Sequence, residues 1–292
     1  MKASTKSAPA STLALSWSEE EIENRFGFFR PGRFTNVNKS LTFLIALALT
    51  AIFFALISLL LNSVPASRPY TMPFVRPGNI YTTGPAMLFF FWAMASLFVK
   101  SRKIQFQERA LSLAAVPQQP DFVLNETTAR TVLERLHSLV DHPRHFILLN
   151  RIERALSNLH NIGGLADVST ILTTQADNDE NQVSSSYTLL NGLVWAIPVL
   201  GFIGTVQGLS VAIGEFGRTL QNTAEVARMK ESLQGVTGGL ATAFETTLVA
   251  LVAALIIQLY VNYLQQKETD FLDACNDYCH SHVIAKLRLS ER

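Results

Sequence analysis

The sequence predicts an all-α integral membrane protein: four transmembrane helices, with a small helical cytoplasmic insert between the second and third. Three observations carry that expectation. Hydrophobic residues make up 48% of the 292 and charged residues only 16%, a balance unlike that of a soluble chain. Four apolar runs are long enough to cross a bilayer. Between the second and third of them, apolar residues recur at helical spacing and no strand-rich stretch intervenes. A net charge of +1 offers no global field for nucleic acid. Two cysteines, Cys275 and Cys279, imply no disulfide framework.

Residues 1–40 read as a cytoplasmic N-terminal tail, mobile and carrying a basic patch at the membrane. Glu19, Glu20 and Glu21 form an acidic cluster, followed by Arg25, Arg30, Arg33 and Lys39. Phe28, Phe29 and Phe34 suit the headgroup region. Residues 41–62 are rich in Leu, Ile, Phe and Ala and form the first span. Residues 63–79 hold Pro65, Pro69, Pro73 and Pro77, which predicts a non-helical periplasmic loop. Residues 80–99 are the second span, with Pro85 placed at about its first turn.

Residues 100–186 form the insert. Asn125 opens an amphipathic helix carrying Val132, Leu136 and Leu139. Pro143 restarts a second with Ile147, Ile152 and Leu156, and Gly163 and Gly164 end it. A third begins near Leu165. Arg130, Glu134, Arg135, Arg151, Glu153 and Arg154 read as a solvated face or as a docking surface for a cytoplasmic partner. Residues 187–213 are the third span, 214–238 a periplasmic loop, 239–264 the fourth span and 265–292 a cytoplasmic C-terminal helix. Lys39, Lys100, Arg102, Lys103 and Lys267 flank the spans on one side. By the positive-inside rule, both termini and the insert are cytoplasmic.

The third span contains Trp195-Ala-Ile-Pro-Val-Leu-Gly-Phe-Ile-Gly-Thr-Val-Gln-Gly208. Gly204 and Gly208 make a GxxxG pair, and Gly201, Thr205, Gly208 and Ala212 share a stripe. Such a stripe suits close contact with another helix. With the third span running outward and the fourth returning, Thr205 lies about 6 Å beyond one midpoint, and Thr247 about 6 Å from the other at matched depth. Thr242 and Thr246 share a face of the fourth span. Hydroxyls donate and accept, so this set suits a proton or cation path; the bland alternative is that each bonds its own helix. Glu245 either reaches water at the outer interface or, desolvated, serves as an ion-pathway or gating residue. Cys275, Cys279, His280 and His282 do not share one helical face, so no metal site is expected. No phosphate loop, nucleophile elbow or zinc-protease motif occurs, and no enzyme activity is expected.

Pro198 to Gly208, followed by Leu240-Ala-Thr-Ala-Phe-Glu-Thr-Thr-Leu-Val-Ala-Leu-Val-Ala-Ala254, resembles the MotA/TolQ/ExbB proton-channel family. Two spans before the insert resemble the MotA arrangement; the third-span wording is closer to TolQ and ExbB, apart from Pro198. Thr205 and Thr247 match the family's third-span and last-span threonines. TolQ and ExbB carry a Glu where this chain has Thr242. The resemblance implies a homopentamer around a dimer of a single-span MotB/ExbD/TolR-like partner, which supplies an intramembrane Asp. It also implies a bacterial inner-membrane stator that converts H+ or Na+ flow into work, with no other cofactor. The rival reading is a passive membrane anchor whose insert recruits a soluble protein.

Overall fold

A computed structural model describes residues 14–23, 32–76, 78–119, 121–157, 159, 165–221 and 226–288. Of the described residues 84% are helical, and no β-strand occurs among them. Four helices are long and apolar enough to cross a membrane. The chain divides into two compact units. One comprises residues 39–98 and 187–265, the other residues 1–38, 99–186 and 266–292.

The first unit contains the apolar helices. Helix α2 (Lys39–Ser63) presents Leu44, Leu47, Ile52, Leu56 and Leu59 outward, as lipid-facing side chains require. Its inner side meets α4 (Ile80–Leu111), where Trp92 donates through Nε1 to Thr42 Oγ1 at 3.2 Å and Phe53 packs on Phe91. The expected loop over 63–79 is instead a 3-10 turn at Pro65–Ser67 followed by α3 (Arg68–Val75). Pro65 and Pro69 sit at opening positions, where a missing N–H has no helical partner to lose. Pro73 is the one proline inside α3, and Asn79 Nδ2 donates to its carbonyl at 2.9 Å. Pro85 lies past the first turn of α4, so the Tyr81 carbonyl lacks its usual donor.

Helix α8 (Thr188–Gln221) and helix α9 (Val226–Cys279) complete that unit with their residues up to 265. Both overrun the expected ends of the third and fourth spans. Most of the loop expected over 214–238 is therefore helix, and of its residues only 222–225 lie outside the described ones. No proline follows Pro198, so nothing rigid halts either helix, and glycine costs only about 1 kcal/mol per position. The interfacial segment expected around Ala224–Leu233 falls partly in those residues.

The second unit is built around α5 (Glu126–Leu139), α6 (Ile147–Ser157) and α7 (Leu165–Ser186). Asn125 caps α5 reciprocally: its side chain accepts from Thr128 N–H at 2.9 Å, and Thr128 Oγ1 accepts from Asn125 N–H at 2.8 Å. Ile147, Leu148, Leu149, Ile152 and Leu156 bury α6 among Phe106, Leu136, Phe271 and Cys275. Arg151 and Glu153 do not join a solvated face. Arg151 is 1% exposed and pairs with Asp179 at 2.7 Å, while its Nη1 donates to Asn276. Glu153 is buried against Arg144. Arg130, Glu134, Arg135 and Arg154 are exposed.

The N-terminal segment, which holds the short helix α1 (Trp17–Glu20), is not a mobile tail over residues 14–23 and 32–38. Trp17 stacks on His145 with ring centroids 3.8 Å apart. Glu21 and Glu23 each meet the buried Lys103 Nζ at 2.8 Å, and Phe34 lies in the core rather than at headgroup level. Burial pushes the Glu21 carboxyl above its ordinary range, against the pull of Lys103. Arg25, Arg30, Phe28 and Phe29 lie outside the described residues.

Asp141 anchors this segment. Burial opposes its charge, but hydrogen bonds from Ser18, Trp17 and Ser16 outweigh that and hold the carboxyl at about 2. A carboxyl lowered on folding stabilises fully above its unfolded value of about 4 and loses that contribution as pH falls through its folded value. Amide-exchange protection, taken relative to the unfolded chain at the same pH, is therefore expected to be high across residues 14–18 at neutral pH and to fall as pH drops from about 4 toward 2. Asp141→Ala should show the low protection already at neutral pH.

Candidate functional site in the paired helices α8 and α9

Close approach of two antiparallel helices makes this site, and glycine makes the approach possible. A methyl group built on Gly201 would stand 2.6 Å from Ala250 Cβ. One on Gly204 would collide with Thr246 and come within 3.0 Å of Thr82 Oγ1. At Gly208 the obstruction is backbone: Gly239 O at 2.6 Å and Ala243 N at 2.7 Å. Gly239 faces Gly208 and Ala212 in return. Positions ascending on α8 thus meet positions descending on α9, a small-residue seam of the kind that holds helices together in lipid. Pro198 lies inside α8, before the seam begins, and leaves the Val194 carbonyl without its helical donor.

Thr205 and Thr247 meet within this seam, and their hydroxyls are hydrogen-bonded to each other. Thr205 Oγ1 also stands 3.3 Å from its own Gly201 carbonyl and 3.2 Å from the Ala243 carbonyl across the seam. Thr247 Oγ1 mirrors it, 3.2 Å from its own Ala243 carbonyl and 3.1 Å from Gly201 O. Four oxygens therefore gather around two hydroxyl protons. Each hydroxyl donates one hydrogen and accepts others, so these contacts cannot all be donations at once. The cluster is neutral, rich in acceptors and half-buried. Such oxygens can pass a proton or surround a small cation without holding fixed charge.

Thr242 and Thr246 of α9 lie outside this four-oxygen cluster, although Thr246 meets Gly204 of α8. Thr242 Oγ1 donates to Gly238 O at 3.0 Å, and Thr246 Oγ1 lies 3.1 Å from both Thr242 O and Ala243 O. Both are buried, and Thr246 packs near Thr82 of α4, a residue that sequence spacing did not single out. Local bonding to the helix's own carbonyls accounts for these two hydroxyls.

Glu245 is neither loose at an interface nor beside the threonine pair. Arg76 Nη2 lies 3.1 Å from its Oε1, and Asn79 Nδ2 donates to its Oε2 at 3.1 Å. Arg76 and Asn79 were missed from sequence because their partner lies more than 160 residues away. The weak hint was an arginine and a buriable amide just before an apolar run.

Cys275 and Cys279 are buried free thiols, and His282 stacks on Tyr278. No group of three or more His, Cys, Asp or Glu residues that could hold a metal occurs among the described residues.

Residues 141–276 match the family model described as the MotA/TolQ/ExbB proton channel family. The match takes in α6, α7, α8 and α9 almost to its end, including the whole small-residue seam. No curated protein and no solved structure matches the chain.

Proposed function

We propose that this chain, a multi-pass membrane protein placed in the MotA/TolQ/ExbB proton channel family by residues 141–276, is the ion-conducting stator subunit of a membrane motor. It couples ion-motive force to mechanical work together with a single-span MotB/ExbD/TolR-like partner. Thr205 and Thr247 line the ion path. The carrying observation is the four-oxygen cluster between α8 and α9, reached only because the flanking glycines admit the neighbouring backbone.

Two further observations support the reading. In residues 187–213 and 239–264 Glu245 is the one carboxylate, and it is already paired with Arg76. A titrating acid for the path must then come from another polypeptide, as an intramembrane Asp of the partner dimer. The outer faces of α8 and α9 are strongly apolar, with Trp195, Phe202, Phe244, Leu248 and Leu255 well exposed. Those faces suit neighbouring copies in a homopentamer and the surrounding lipid. The protein resides in the bacterial inner membrane with both termini and the 100–186 insert in the cytoplasm. H+ or Na+ is the transported ion, and no catalysis is involved.

The test is the double substitution Thr205→Val/Thr247→Val, which keeps side-chain shape and removes both hydroxyls. The complex purified with its partner and placed in liposomes is expected to keep its subunit stoichiometry by native mass spectrometry. Ion flux, followed with pH- and sodium-sensitive dyes, is expected to fall to background. Undiminished flux would overturn the path.

A further inference from the structure

We infer that Arg76, Asn79 and Glu245 form a latch that holds the Thr205–Thr247 pair closed, with Arg76 and Asn79 as positioning residues acting through α9. The inference rests on the ion path proposed above and adds a control element to it.

The latch connects two parts of one unit. Arg76 and Asn79 lie in the short turn between α3 and α4, and Glu245 lies on α9, two residues before Thr247. Two residues along a helix turn a side chain to nearly the opposite face. Thr247 therefore faces α8, while Glu245 faces the α3–α4 turn at almost the same height. Helix α9 is gripped on both sides at one level. On one side the grip is the hydroxyl pair and the glycine seam; on the other it is an ion pair and an amide hydrogen bond.

The polar grip is tied down beyond the ion pair. Asn79 is fully buried, and its Nδ2 bridges Glu245 Oε2 and Pro73 O, joining α9 to the end of α3. Gly78 lies beside Thr242, so the turn rests directly on α9. Arg76 Nη1 stands 3.5 Å from Gly238 O as well.

The same place carries the means to open. Asn79 Oδ1 and Thr83 Oγ1 are buried and have no hydrogen-bonding partner among the described residues. Asn79 immediately precedes α4 and Thr83 lies in its first turn. Buried oxygens of this kind are normally satisfied by ordered water. Arg76 and Glu245 are partly exposed, at 31% and 24%, so the pair is weak enough to open and close. Release of Glu245 frees α9 on the side facing the α3–α4 turn, so the Thr205–Thr247 contact opens while the glycine seam stays closed.

The experiment uses the full complex in liposomes, with proton and sodium dyes as before. Arg76→Gln and Glu245→Gln are each expected to raise resting flux by about fivefold, the scale of a partly exposed ion pair. The charge-swapped Arg76→Glu/Glu245→Arg variant is expected to bring flux most of the way back to the wild-type level, short of it by the Asn79 bond that an arginine at 245 cannot accept. A purely structural pair would not give raised flux that the reversed pair restores. Wild-type flux in both single variants would overturn the latch. So would loss of assembly by native mass spectrometry that the swap fails to repair. Adding Thr205→Val/Thr247→Val to Arg76→Gln separates the two readings. Flux returning to background supports both; raised flux that persists sinks the threonine path and the claim that the latch acts on that pair, leaving Arg76–Glu245 as a control on flux by another route.

Discussion

Gly208→Val is expected to destroy the α8–α9 seam and, with it, all ion flux. The side chain has no rotamer that avoids the collision, because its first carbon would already lie 2.6 Å from Gly239 O and 2.7 Å from Ala243 N. Those atoms are backbone, so relief requires the helices to part. Overpacking a close contact costs roughly 1–3 kcal/mol where the surroundings can yield, and more where they cannot. Thr205 is only three residues away, and its bond across to Ala243 O at 3.2 Å depends on the same approach. Thermal unfolding of the detergent-solubilised complex should show a clear drop in midpoint, and dye-monitored flux should vanish. Gly192→Ala on the same helix is the control. A methyl group there meets nothing within 4 Å, so wild-type behaviour or a slight gain is expected.

The second large effect concerns the unit that carries Arg151. That guanidinium is 1% exposed, pairs with Asp179 at 2.7 Å and also donates to Asn276. Its Nη2 has no hydrogen-bonding partner among the described residues, so the site is imperfectly satisfied. Arg151→Ala removes one charge and leaves the other buried and uncompensated, at a cost of about 3–5 kcal/mol. Replacing both members with apolar residues, as in Arg151→Met/Asp179→Leu, removes the uncompensated charge and is expected to recover most of that loss. Hydrogen exchange over α6 and α7 would report it. The single variant should exchange far faster than wild type, and the double variant should come close to wild type.

These two sites mark what was readable from sequence. The Gly201–Gly208 stripe and the depth of Thr205 and Thr247 were legible because a bilayer imposes length, apolarity and helical period together. Nothing local betrayed Arg151, which looks like its exposed neighbours Arg130 and Arg135 until the chain folds. The same holds for the N-terminal segment: its anchors Lys103 and Asp141 lie about a hundred residues further on, so composition alone suggested a free tail. Prolines misled over residues 63–79, since their count says nothing of whether they fall at a helix's opening, where Pro65 and Pro69 do. Nor did composition show, over residues 214–238, that α8 runs on to Gln221 and that α9 begins at Val226. Within α9, the period placed Thr242 and Thr246 on one face but could not say that Gly78 would lie against Thr242 and Gly204 of α8 against Thr246.

The arithmetic of oxygens and hydrogens between α8 and α9 carries a kinetic consequence. A relay that shuttles a proton through a hydroxyl ends with that O–H bond pointing the opposite way. Before the next charge can follow, the bond must swing back. Here the Gly201 and Ala243 carbonyls both lie within reach of either rotor, so each orientation finds an acceptor waiting. The reset is then a rotation between near-equivalent wells rather than a climb out of a single deep one, and turnover need not be throttled by it.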